Sequence, residues 1–206
     1  MAIDFDTTQL MAVAAALGWA SGLRLYLVVF LTGLAGWLGW VDLPTGLKLL
    51  QHPALLGASG FMLFVEFFAD KIPGLDTLWD LVHTVVRIPA GAALAAAVFG
   101  ADQGTWATAA ALIGGTLAAT SHVAKTTTRA AANASPEPFS NLGLSLLGDS
   151  AVPAALWLSW SHPLVFFAAL ALALVVMVGL IWFFAKFLRG LAQRVTGWLA
   201  PETTHV

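Results

Sequence analysis

From Pro163 to Ala185 the chain runs without one ionisable side chain, and Lys186, Arg189 and Arg194 follow. About 20 consecutive apolar residues are enough to cross the hydrocarbon core of a bilayer. This run therefore reads as a membrane span. The three bases behind it place the C-terminus in the cytoplasm by the positive-inside rule.

The remainder of the chain agrees. Hydrophobic residues make up 59% of its 206 positions and charged residues only 10%, against roughly 25% charged in soluble domains. Further spans are expected over Gln103–Ala124, about Pro138–Trp160 (bent near Pro153) and about Pro53–Ala69. Gly114, Gly115, Ala118 and Ala119 suit the second of these to close helix packing. Thr8–Trp40 is long enough for one tilted helix, or for two helices broken near Ser21-Gly22 with Arg24 facing the bundle. Ile88–Gly100 is too short to cross alone. It either crosses together with Leu75–Arg87 or dips into the bundle. The predicted architecture is all-α: a polytopic membrane helix bundle of six or seven segments with broken or re-entrant helices. Residues 1–206 form a single transmembrane domain, with 186–206 as a cytoplasmic amphipathic tail. Val41–Gln51 and Ala134–Pro138 are the linkers.

Several functional classes are excluded or disfavoured. No cysteine is present, so thiol nucleophiles, disulfides and Cys-ligated metals are absent. A net charge of −2 argues against nucleic acid as a partner. The first ten residues carry Asp4 and Asp6 but no base, unlike a secretory leader, and Thr7 or Thr8 is the expected cap of the first helix. Trp37, Trp40, Trp157 and Trp160 end apolar runs, as interfacial anchors do.

The ionisable residues are not scattered. Residues spaced three or four apart share a helix face, and four segments use that spacing. They are Glu66/Asp70; Asp76/Asp80/His83/Arg87; His122/Lys125/Arg129/Asn133; and Asn141/Ser145/Asp149. An ionisable group at the bilayer centre costs about 2.5–3.5 kcal/mol on insertion scales, so these stripes are expected to face one another in a shared polar interior. Six carboxylates (Glu66, Asp70, Asp76, Asp80, Glu137, Asp149) face four bases (Lys71, Arg87, Lys125, Arg129). That surplus predicts protonated carboxylates or a bound cation. Lys125 and Arg129 read either as an anion site or as snorkelling bases. Asp76, Asp80 and His83 offer metal-type ligands, although a salt-bridge network with Arg87 and Lys71 accounts for them more simply. His122 is a proton relay or a packing histidine. His52, His162 and His205 receive no role. Two breaks, Lys71–Asp76 and Ala134–Asn141, end one helix and start the next, with Asp76 and Ser140 or Asn141 as caps. Each helix start is a place where an anion can sit. A weak internal repeat aligns Ser59–Lys71 with Gly114–Thr126, and repeats are common in transporters.

Three motifs carry a resemblance. Ala69–Ala92 (ADKIPGLDTLWDLVHTVVRIPAGA), the pattern from His122 to Asn141 and Gly22–Leu27 (GLRLYL) resemble domain-of-unknown-function family 4126, a group of small bacterial integral membrane proteins. The resemblance covers roughly residues 10 to 185. It implies a helical protein of the bacterial cytoplasmic membrane and brings no activity with it. The pattern differs at Gly148-Asp149, where an acidic pair is expected and only Asp149 is acidic.

The resulting expectation is a transporter or flippase rather than an enzyme. Its substrate is a small anionic or zwitterionic solute or a lipid headgroup, coupled to H⁺ or Na⁺. Lys125, Arg129, Asn133, Asn141 and Arg87 hold the substrate. Glu66, Asp70, Asp76, Asp80, His83, His122 and Asp149 serve the coupling ion. No cofactor is required; a bound Na⁺ or divalent cation is allowed, and so is a homo-oligomer. Membrane lipids are the expected surroundings. The alternatives are a membrane-embedded metal-dependent hydrolase acting on a lipid phosphate, and a structural or accessory subunit whose stripes are buried ion pairs. The first lacks H-E-x-x-H and G-x-S-x-G motifs.

Overall fold

A computed structural model describes residues 5–72, 74–134 and 138–199; the side chains of 101, 138, 139, 141, 191, 192 and 194–199 are outside the description. Six α-helices carry the described fold: α1 (Thr7–Trp37), α2 (Pro53–Ala69), α3 (Leu75–Ala97), α4 (Gly104–Asn133), α5 (Pro138–Ser161) and α6 (Pro163–Leu199). Short 3₁₀ helices at Thr45–Gln51 and Ala101–Gln103 join them, and no strand occurs among the described residues. Five helices are long and apolar enough to cross a membrane, or six when Thr45–Gln51 and α2, bent by 70°, count as one broken span. The higher expectation of seven is not met among these residues.

The expected segments hold with corrected ends. Leu75–Ala97 is one continuous helix through Pro89, long and apolar enough to cross a membrane. The linker Val41–Gln51 contains the first 3₁₀ helix. The cap of α1 is Asp6, not Thr7 or Thr8: its carboxylate accepts from the Gln9 N–H at 2.7 Å, and Gln9 Oε1 accepts from the Asp6 N–H at 2.9 Å. This is a capping box. Gly74, with φ +87°, precedes α3, and Asp76 supports the helix start from the first turn, accepting from the N–H groups of Gly74 and Thr77. α6 runs on beyond Ala185 to Leu199. The Ser135–Glu137 part of the second break lies outside the described residues.

The re-entrant element is α1. Arg24 leaves helical geometry (φ −148°, ψ 80°), two residues after the Ser21-Gly22 pair. Ser/Gly pairs are recurrent kink sites, and the Ser21 hydroxyl donates back to the Leu17 carbonyl at 2.6 Å. Before the break, residues 7–23 run parallel to α4 and antiparallel to α3. Gly18 meets Gly114 and Gly91, Gly22 meets Ala118 and Ser121, and the Gln9 side chain donates to the Trp160 carbonyl at the end of α5. After the break, residues 25–37 run antiparallel to α2. Phe30 lies on Gly60, and Gly33 lies on Leu56 and the Leu50 carbonyl. Gly46 then touches the Ala97 carbonyl at the end of α3. Both ends of α1 therefore lie at the end of the bundle where α3 and α5 finish. The helix passes a length test for a span, yet it enters from that end, reaches a depth of about 25 Å at 1.5 Å per residue, and returns.

That end also carries Trp37, Trp40, Trp106 and Trp157, each more than half exposed, as an interfacial belt does. It is called the tryptophan end below. At the opposite end α2 finishes, α3 begins, α4 finishes and α5 begins. The charged stripes occupy this half.

Toward the tryptophan end the packing is dry and backbone-close. A Cβ added to Gly18 would lie 2.5 Å from Gly114 Cα, and one on Gly91 would lie 2.7 Å from Ala118 Cβ. Gly18/Gly22 on α1, Gly91/Ala95 on α3 and Gly114/Ala118 on α4 are all four-residue small–small pairs, which let membrane helices approach closely. The sequence expectation for Gly114 and Ala118 is met. Gly115 instead faces Ala92, and a Cβ there would stand 3.3 Å from that residue's Cβ.

Candidate functional site

The four stripes meet. Five bases and five carboxylates form one buried network around the break in α1. Its centre is Asp70, fully buried just past the end of α2. Arg24 Nη1 stands 2.7 Å from Asp70 Oδ2, Arg129 Nη1 2.8 Å from Oδ1, and Lys125 Nζ 3.3 Å from Oδ2. Three cations thus converge on one carboxylate.

A second centre is Arg87 on α3. Its Nη2 donates to Glu66 Oε1 and its Nη1 to Asp80 Oδ1, both at 2.6 Å. Arg87 and Glu66 are fully buried. Asp80 joins the two centres, with Oδ1 3.0 Å from Lys125 Nζ and Oδ2 3.4 Å from Arg129 Nη1. At the open end of the network, Arg129 Nε lies 3.5 Å from Asp76 Oδ2, and the Asn133 amide donates to Asp76 at 3.2 Å. On the α5 side, Asp149 Oδ1 is 2.9 Å from Arg24 Nε and Oδ2 is 3.7 Å from Lys71 Nζ. Ser145 Oγ accepts from Arg24 Nη2 at 2.8 Å. Lys71 also lies over the Phe67 ring, 3.1 Å from its centroid.

The break in α1 has a direct role in this geometry. With Arg24 non-helical, the Leu23 carbonyl is turned to Lys125, whose ammonium donates to it at 3.1 Å. The Trp19 carbonyl accepts from the Ser121 hydroxyl at 2.6 Å. Backbone oxygens freed inside a membrane need such partners. The same break lets the Arg24 side chain reach both the α2–α3 corner and α5.

Among the described residues the network shows no surplus of carboxylates. Arg24 supplies a fifth base to the network, Glu137 lies outside the described residues, and the count within it is five against five. No group of three or more His, Asp or Glu side chains suited to a metal ion occurs among the described residues. His83 does not join Asp76 and Asp80 as a ligand set. Its Nδ1 faces the Trp79 carbonyl at 2.8 Å, its Nε2 faces the Tyr26 hydroxyl at 3.2 Å, and its ring stacks on Trp79. His122 packs inside the network: the Thr84 hydroxyl lies 2.9 Å from the Asp80 carbonyl and 2.7 Å from His122 Nε2.

Of the substrate-binding candidates, Lys125, Arg129, Arg87 and Asn133 stand in the network, and Asn141 lies on α5 with its side chain outside the described residues. Of the ion-coupling candidates, Glu66, Asp70, Asp76, Asp80, His122 and Asp149 stand in it, and His83 stands at its rim against Tyr26. Sequence reasoning placed Arg24 in the bundle without assigning it to the site. The available signal was its position, a lone arginine halfway along an otherwise apolar 31-residue helix. Tyr26 and Thr84 gave no such signal.

Beside the network lies a cavity of about 280 Å³. Arg24, Asp70, Lys125 and Arg129 form its floor, and α5 and α6 form its walls through Leu144, Gly148, Val176 and Met177. The charged heads are turned toward one another, so the cavity surface is almost entirely carbon. A second chamber of about 550 Å³ shares Thr128, Leu144 and Leu147 with the first and extends to Ser140, Gly143 and Phe184.

Fold and site together define a class: a polytopic helical membrane protein whose polar interior is a neutral ion-pair network beside an apolar cavity. The profile of a domain of unknown function, DUF4126, matches residues 11–183, and the chain belongs to that family. No curated protein and no solved structure matches it.

Proposed function

We propose that the protein is a transporter or flippase for a small anionic or zwitterionic solute or a lipid headgroup. The observation that carries this reading is the floor of the cavity. Arg24, Lys125 and Arg129 reach it with Asp70 as their shared carboxylate. Buried ion-pair networks are weak devices for stability alone, since the cost of desolvation offsets much of the attraction. Ionisable residues inside membranes are by default candidates for substrate pathways. A broken helix that presents backbone carbonyls at the site is a further feature of secondary transporters. The bases Lys186 and Arg189 on the same side of the bundle support a cytoplasmic position for the network end, in a bacterial inner membrane.

The hydrolase reading loses its motive with His83, both of whose ring nitrogens face groups other than Asp76 and Asp80. Proteoliposomes test the transport reading. Purified protein should accelerate movement of short-chain phosphatidic acid or small organic anions across the bilayer, and Lys125→Gln should abolish the acceleration while remaining folded. Equal rates in protein-free liposomes across such a panel would remove the proposal.

A further inference from the structure

We infer that Asp70 is a built-in occupant of an anion site, and that the ligand which exchanges with it is a lipid carrying a phosphate or carboxylate headgroup. This names the ligand class of the site proposed above and rests on reading that site as the anion site.

The first ground is convergence. Three cations from three different elements, Arg24 at the break of α1 and Lys125 and Arg129 on α4, all reach Asp70. One carboxylate offers about four lone-pair positions, and the three cations share Asp70 with other acids, Arg129 also lying 3.5 Å from Asp76. Asp80 supplies part of the remainder, at 3.0 Å from Lys125 and 3.4 Å from Arg129. Arg24 has its second carboxylate in Asp149, which is 22% exposed. A phosphate bears up to two charges and more acceptor oxygens than Asp70, and matches guanidinium groups in geometry.

The second ground is incomplete satisfaction. Arg24 Nη1 and Arg129 Nε are buried, and neither makes a well-aligned hydrogen bond despite their ion-pair distances. Arg24 is 1% exposed and Arg129 2%, and both line the cavity. An anion entering beside Asp70 would offer acceptors to both.

The third ground is the character of the remaining walls. A site for a free inorganic anion would be lined by polar groups or water. Here the space beyond the charged floor is lined by Leu144, Leu147, Ala173, Val176, Met177 and Leu180. The second chamber shares Leu144 and Leu147 with it and extends to Gly143 and Phe184. Together the two chambers fall within the roughly 300–1,000 Å³ range of ligand pockets. α6 forms one wall, and its outer face, Leu172, Val175 and Trp182, is exposed to the surroundings of the bundle. A headgroup on Arg24, Lys125 and Arg129 with its chain between α5 and α6 fits both the charge and the apolar walls.

Asp70 also stands where release can be transmitted. It caps α2 immediately before the turn at Gly74. Its carboxylate is one of the links that tie the α2–α3 corner to α1 and α4.

The test uses the full-length protein in detergent or nanodiscs, with dihexanoyl phosphatidic acid, inorganic phosphate and dihexanoylglycerol as probes, read by calorimetry. The phosphatidic acid should bind wild type, with phosphate and the glyceride at least about tenfold weaker, a difference of about 1.4 kcal/mol. Asp70→Asn removes the competing carboxylate and should tighten phosphatidic acid by about tenfold or more. Ala173→Phe fills the apolar chamber from α6, touches no member of the ion-pair network, and should abolish binding in protein that remains folded. If Asp70→Asn fails to fold, the wild-type probe series and Ala173→Phe still decide the lipid claim. Inorganic phosphate binding as tightly as the lipid overturns the lipid assignment. Unchanged or weaker lipid binding in folded Asp70→Asn overturns the exchange. Lipid binding without flux in proteoliposomes removes the transport reading and leaves this inference standing; flux of other anions with no lipid binding does the reverse.

Discussion

The same three elements, α1, α3 and α4, pack together in two chemically opposite ways along their length. Toward the tryptophan end, Gly18, Gly22, Gly91 and Gly114 bring backbones into contact with no charged side chain between them. Toward the other end, Arg24, Asp80, Arg87, Lys125 and Arg129 hold the helices apart through charged groups. A glycine seam has one good arrangement, because any shift opens a void or creates a clash. An ion-pair network with shared partners has several of similar energy, because Asp70 and Asp80 already divide their oxygens among several cations. The difference teaches which half of the bundle is scaffold and which is able to exchange partners, and the break at Arg24 is where α1 passes from one to the other.

Removing one member of the network should have the largest effect. Arg87→Met leaves Glu66 and Asp80 buried without their 2.6 Å partner, and breaking a buried pair costs about 3–5 kcal/mol. The double variant Arg87→Met/Glu66→Gln removes one of the orphaned charges and should recover part of that loss in thermal unfolding in detergent. No recovery would mean that Arg87 acts through shape alone.

In the seam, Gly22→Val drives a side chain into the Ala118 carbonyl and Ser121. Overpacking of this kind costs about 1–3 kcal/mol, and no charge change elsewhere should rescue it. At the rim of the network, Tyr26→Phe deletes the hydroxyl facing His83 Nε2 at 3.2 Å. The expected cost is that of one ordinary hydrogen bond, about 0.5–1.5 kcal/mol. Away from both regions, Lys48→Ala removes a pair with Asp42 in which both side chains are about half exposed. Such pairs contribute about 0–1 kcal/mol, so its melting temperature should be indistinguishable from wild type.

Much of this was legible in the sequence, and for identifiable reasons. The uncharged run Pro163–Ala185 and the small residues at Gly114 and Ala118 are local signals, read directly as a span and as a packing face. The spacing of Asp76, Asp80 and Arg87 and of Lys125 and Arg129 reports a helix face, and the cost of a lone charge in lipid forces those faces together. The direction of α1 after Arg24 was not legible, because hydropathy is the same whether a helix continues or turns back. The charge balance was missed for the same reason: a single arginine in an apolar helix does not announce which stripes it joins. His83 sits in register with Asp76 and Asp80, yet its ring is claimed by Tyr26 and Trp79, and that choice depends on tertiary contacts with α1.

The chain has no cysteine, so single cysteines can be placed in each region without background. Thr128 lines both chambers of the cavity, whereas Ala110 is buried in the dry half of α4. In nanodiscs, Thr128→Cys should react with a small maleimide, and dihexanoyl phosphatidic acid should protect it; Ala110→Cys should react slowly with or without the lipid. Equal labelling at the two positions, or a Thr128→Cys rate that the lipid leaves unchanged, would contradict an exchangeable site beside a fixed seam.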